Sequence, residues 1–236
     1  MPLIITLLAG AFILLGALAT KLTHDHHKVE SISFALAMGA LVALMSFDLV
    51  PDIIEAGAAW WLRILFVVIG FVFLVALDHF APDHEEHHEH ESSEHIGVMS
   101  AMAVILHNIV EGMTVYTMSM GDVKQGFILA VGIGLHNIPM GMLIFSTLAH
   151  KSMRSKVALT SAVVLSTPLG GLLMMLMSSL LTDAIIGALV CVAAGMIIYL
   201  VFMELLPHVI KTKKAALSIG GTLIGFAVVA VSCLLG

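Results

Sequence analysis

Two short stretches put ligand-type side chains into otherwise apolar surroundings. ILHNIVEGMTVY runs from Ile105 to Tyr116 and GLHNIPMGMLIF from Gly134 to Phe145, and both contain H-N-I-x-x-G-M. In the first, His107 and Glu111 are four residues apart, so on a helix they share one face, with Asn108 beside it. An imidazole nitrogen, a carboxylate and an amide oxygen suit a borderline divalent ion such as Zn²⁺, Fe²⁺ or Mn²⁺. The second stretch offers His136 and Asn137 to complete the set, and carries Met140 where the first has Glu111. Pro139 removes a helical hydrogen bond and is expected to kink the helix beside those ligands.

The elements that position these residues follow from composition. Hydrophobic residues make up 60% of the 236 and charged residues 11%, with a mean hydropathy of +1.09. Such a chain is an all-α integral membrane protein, because only helices about 20 residues long can satisfy their backbone within the bilayer. Eight segments qualify, at about 2–20, 32–50, 60–80, 96–120, 126–148, 157–181, 184–206 and 215–235. The first lacks a basic leader and is expected to be retained as a span. Residues 1–236 are thus expected to form a single transmembrane domain with a histidine- and acid-rich cytoplasmic loop at 81–95. His107 and His136 fall near the middle of the fourth and fifth spans, where ionisable groups cost several kcal/mol and face a bundle interior or a wet pathway.

Lys21, Lys28, Lys151, Arg154, Lys156, Lys211, Lys213 and Lys214 lie on one side of the predicted topology, against Arg63 and Lys124 on the other. The positive-inside rule puts the richer side in the cytoplasm and both termini outside, in the cell membrane. The net charge of -6 arises largely in DHEEHHEHESSEH, Asp83–His95, whose His84, His87, His88, His90 and His95 alternate with carboxylates. That stretch cannot build a core and reads as a mobile loop with auxiliary metal sites. Cys191 and Cys233 lie within spans, so neither a disulfide nor a cysteine zinc site is indicated.

A second echo pairs FDLVPD (Phe47–Asp52) in the second span with MELLPH (Met203–His208) in the seventh. Each has a carboxylate, Asp48 or Glu204, three residues before a proline near the end of its span, where it could line an entrance or exit. Echoes in spans two and seven, flanking the pair in four and five, suggest a 3+2+3 arrangement with inverted pseudo-symmetry.

Together these residues resemble the ZIP (Zrt/Irt-like) metal transporter family, in its prokaryotic form. The resemblance covers essentially the whole chain and rests on the eight spans, the histidine-rich connection, HNIVEG and HNIPMG. It implies uptake of divalent transition metals, zinc foremost with Fe²⁺, Mn²⁺ and Cd²⁺ as relatives, through a site between spans four and five. The family's usual span-four pattern is HN-x-P-E-G; His107, Asn108, Glu111 and Gly112 match it, with Val110 in place of proline. In span five the expected glutamate is Met140, and in span six Thr167 stands where a glutamate often precedes Pro-x-Gly. Two ions need more compensating charge than the remaining Glu111 supplies, so one metal ion is expected, held by His107, Asn108, Glu111, His136 and Asn137. The metal is cargo, and no organic cofactor or nucleic acid partner is expected; divalent ions and the lipid bilayer are the partners, and a homodimer stays open.

Two other functions would need different features. A membrane metalloenzyme needs an open coordination position and a nearby base or nucleophile, and no serine or cysteine here has a paired base. A pure metal sensor would rest on the histidine-rich stretch alone.

Overall fold

The computed structural model describes residues 1–22, 26–55, 59–80, 89–148, 151–211 and 215–235. Every extended element among them is helical. Eight helices are long and apolar enough to cross a membrane: α1 (Pro2–Leu22), α2 (Lys28–Glu55), α3 (Trp60–His79), α4 (His95–Gly121), α5 (Val123–Thr147), α6 (Met153–Met177), α7 (Asp183–Lys211) and α8 (Ala215–Cys233).

The connection that matters most is the shortest. Helix α4 ends at Gly121, and Asp122 caps α5, its side chain accepting from the backbone N–H of Lys124 at 2.8 Å and Gln125 at 3.3 Å. That cap satisfies two of the donors a helix start leaves unpaired. It also closes an antiparallel hairpin whose arms place His107 fifteen residues before the cap and His136 fourteen residues after it. Equal rise per residue then brings the two motifs to the same depth. Ser152 and Thr182 cap α6 and α7 in the same way.

The helices sort into two groups by their contacts. In one, α1 packs on α5, α4 on α6, and α1 on α6; in the other, α2 packs on α8 and α3 on α7. Exchanging α1 with α6, α2 with α7, α3 with α8 and α4 with α5 turns this set of pairs into itself. These pairings follow the 3+2+3 inverted arrangement expected from the echoes, while α5 also packs on α8 and α3 has no comparable contact with α4 among the described residues. Close approach in lipid depends on small residues at the crossing. A Cβ on Gly16 of α1 would fall on the Ile138 carbonyl of α5, and one on Gly141 on the Ile13 carbonyl. The counterpart crossing of α4 and α6 has the same reciprocity, Gly112 meeting the Thr167 carbonyl and Gly170 the Ile109 carbonyl.

Two expected bounds need correction. The second and seventh spans run past residues 50 and 206, to Glu55 and Lys211. Each extension follows a π-helical turn, Met45–Leu49 in α2 and Leu200–Leu205 in α7, after which the helix resumes as Val50–Glu55 and Leu206–Lys211. The wider turn accommodates Pro51 and Pro207, which would clash with a carbonyl of a regular α-helix. The Asp83–His95 stretch is not all loop: the helix that becomes α4 begins at Glu89. His90 and His95 therefore sit on a helix, whereas His84, His87 and His88 lie outside the described residues. Helix α5 contains Pro139 within its length.

Candidate metal centre

Halfway along the α4–α5 hairpin three ligand atoms converge. His107 Nε2 lies 3.0 Å and His136 Nε2 2.8 Å from the same carboxylate oxygen, Glu111 Oε1. The imidazole centroids are 6.1 Å apart. The three side chains are 4%, 5% and 7% exposed for His107, His136 and Glu111. Each offers one ligand atom within 4.8 Å of the other two. Two imidazoles and one carboxylate, desolvated on facing helices, form a donor set that fits a divalent d-block cation.

The asparagines are held by their amide nitrogens. Asn108 Nδ2 donates to the Val163 carbonyl of α6 at 3.4 Å, and Asn137 Nδ2 to the Ala9 carbonyl of α1 at 3.3 Å. These bonds pin each amide to the helix flanking its own and set its orientation. They leave both Oδ1 atoms, like Glu111 Oε2, buried and without a hydrogen-bond partner among the described residues. Unpartnered buried acceptors are costly, and a cation is one group that would satisfy them. The H-N-I-x-x-G-M repeat thus has a division of labour. Its histidine faces the centre, its asparagine ties to the flanking helix, and its glycine lets that same helix approach.

A cavity of about 40 Å³ borders the Glu111 side of the centre, lined by Asp48, Asp52, His107, Glu111 and Thr114 among others. Asp48 thereby adjoins the centre, carried there by the π-turn of α2. Asp52, one turn further on, was not singled out from sequence, although its spacing of four from Asp48 already put both carboxylates on one face. A smaller cavity of about 10 Å³ lies on the other side, between both histidines, both asparagines and Met140. Thr167 is fully buried but packs toward Gly10 of α1, beside which its Oγ1 and Cβ lie.

Glu204 is brought to a separate place. With Asp78 of α3 and His95 of α4 it forms a second group of three convergent donors, half-buried to exposed. His95 Nε2 lies 3.2 Å from Asp78 Oδ1, and the Tyr199 hydroxyl donates to Glu204 Oε1 at 3.1 Å. Asp78 carried no recognisable spacing in the sequence, because His95 comes from another span; Tyr199 lies five residues before Glu204 on the same helix.

Comparison with known proteins agrees with this arrangement. The family described as "ZIP Zinc transporter" matches residues 78–232. A zinc transporter ZupT from Chlorobium luteolum is 29% identical over 99% of this chain and 97% of its own. ZupT proteins from Streptococcus mutans and Clostridium perfringens are each 26% identical, over 98% and 100% of this chain and 96% and 95% of theirs. The His107–Glu111–His136 centre and helices α4 to α7 lie within the matched residues, and the chain belongs to the ZIP zinc transporter family.

Proposed function

We propose that this multi-pass membrane protein carries Zn²⁺ and related divalent ions into the cytoplasm, one at a time, through the centre formed by His107, Glu111 and His136. The observation that carries this reading is the convergence of two imidazoles and one carboxylate, buried at the middle of two helices otherwise made of apolar residues. Membership in a transporter family, with relatives named zinc transporters, supports transport over a membrane enzyme or a sensor. Asn108 and Asn137 contribute their free amide oxygens from the edge of the centre. The lysine-rich connections support a cytoplasmic location for the His95 end of α4 and an outer location for both termini. Asp48 and Asp52 then stand between the outer face and the ion, and Glu204, with Asp78 and His95, at the cytoplasmic end.

The triad itself holds one carboxylate, which neutralises half of a single dication, with Asp48 and Asp52 in the cavity beside it. Purified protein lacking residues 81–88, equilibrated with Zn²⁺ and dialysed, should retain one tightly bound ion per chain by elemental analysis. Two tight ions would contradict the single-site reading. Asp48→Asn should keep the fold and lower uptake at low zinc by about tenfold, chiefly through a raised KM, since the lost charge concentrates the ion ahead of the site. A zinc-concentration series in reconstituted vesicles separates that outcome from an unchanged KM, which would remove Asp48 from the pathway. The test of the function itself, substitution of Glu111, is the strongest of these.

A further inference from the structure

We propose that Met140 is a specificity-determining residue, selecting for softer ions that accept four ligands, such as Zn²⁺ and Cd²⁺, and against harder ions such as Mn²⁺ and Mg²⁺. This rests on the metal-transport reading of the same centre and narrows the class of cargo it accepts.

The position of Met140 is dictated by the repeat. It follows His136 by four residues as Glu111 follows His107. In the inverted hairpin the two therefore approach the centre from opposite ends. Glu111 borders the cavity that holds Asp48 and Asp52. Met140, 3% exposed, borders the cavity on the far side with both imidazoles and both asparagines. The remaining walls of that cavity are aliphatic, supplied by α2, α4 and α7, and no carboxylate lines it. The centre is thus two-faced, with negative charge on one side and neutral nitrogen, amide oxygen and thioether on the other.

Donor chemistry and space point to the same ions. Thioethers and imidazoles favour softer metals, whereas Mg²⁺ and Mn²⁺ prefer carboxylate, carbonyl and water oxygens. The neutral cavity, at about 10 Å³, has room for about one water molecule. An ion that keeps several waters in octahedral geometry, as Mg²⁺ does, does not fit with its shell. An ion content with four ligands does. The unpartnered Oδ1 atoms of Asn108 and Asn137, each fixed by its own amide bond to a flanking helix, add two oxygen donors without charge. Met140 decides the balance, because it alone of the repeat's positions exchanges a hard anion for a soft neutral atom.

The test is uptake of Zn²⁺, Cd²⁺ and Mn²⁺ by the full chain in proteoliposomes, compared among wild type, Met140→Leu, Met140→Glu and Glu111→Ala at matched protein content. Wild type should favour Cd²⁺ over Mn²⁺. Met140→Leu should lower Cd²⁺ relative to Zn²⁺ by about tenfold, the scale of losing one weak ligand. Met140→Glu should raise Mn²⁺ relative to Zn²⁺ by about tenfold. If both variants keep the wild-type ratios within about twofold while Glu111→Ala is silent, Met140 does not set specificity and the metal-transport reading stands. If Glu111→Ala transports normally, that reading fails instead. X-ray absorption at the cadmium edge on purified wild type keeps the proposal testable if a variant does not insert: a sulfur atom in the first shell supports it, and a shell of nitrogen and oxygen alone overturns it.

Discussion

Zinc uptake should fall to background when Glu111 is replaced by alanine, while the protein still reaches the membrane in normal amount. Glu111 supplies the single carboxylate in the triad, and its Oε1 is the atom both imidazoles approach, at 3.0 and 2.8 Å. A unit charge 4 Å from a cation is worth about 4 kcal/mol at an effective dielectric of about 20, and a divalent cargo doubles that. Half of the total already lowers occupancy about a thousandfold. Glu111→Gln sharpens the prediction, because it keeps the volume and one oxygen and removes the charge alone. Both variants should be silent in ⁶⁵Zn uptake by cells or vesicles, with surface abundance measured in parallel. If packing rather than charge made Glu111 necessary, glutamine would restore uptake. Normal uptake by the alanine variant would remove the triad from the transport pathway altogether.

Much of this arrangement was legible in the sequence for a physical reason. A bilayer forces every span into one secondary structure and one approximate length, so eight helices follow from hydropathy. Two histidines of matched depth then follow from counting outward from Asp122. The inverted pairing of helices was foreshadowed by two echoes, each of which turned out to carry a structural device. The H-N-I-x-x-G-M echo marks a ligand, a tether and a close helix crossing, while the Leu-x-Pro echo marks a π-turn that lets each helix continue. What the sequence hid were effects decided across spans. Asp48 and Glu204 read as carboxylates near span ends, and only the structure shows that they are held in π-turns after which each helix resumes. Asn108 read as a ligand candidate from its place beside His107. Its amide bond to Val163, 55 residues away in α6, could not be anticipated from the spacing within α4. Asp78, His95 and Glu204 likewise became a group only because α3, α4 and α7 bring them together.

The reciprocal glycine crossings allow a test of how tightly packing and site are coupled. Gly112→Ala adds one methyl group, yet that methyl would land on the Thr167 carbonyl oxygen of α6, with Gly171 N next behind it. Backbone on both sides cannot rotate away as a side chain could, so α4 must shift or tilt. A destabilisation of about 3 kcal/mol, the upper end for overpacking, is expected, readable as a lower melting temperature in detergent. Gly220→Ala in α8 provides the contrast, for among the described residues no atom beyond its own helix backbone and chain neighbours lies within 4 Å of its added Cβ. There alanine should be neutral or stabilising by up to about 1 kcal/mol, as helix propensity alone dictates. The functional consequence of Gly112→Ala should exceed its stability cost. Gly112 is the residue after Glu111, so a displacement of α4 against α6 carries the carboxylate away from His136 on α5. Misplacement by about 1 Å is enough to cost catalytic and binding sites roughly a hundredfold. Folded Gly112→Ala protein, assayed well below its melting point, should therefore transport zinc poorly. Full transport by that folded variant would show that α4 and α6 can separate at this crossing without disturbing the centre.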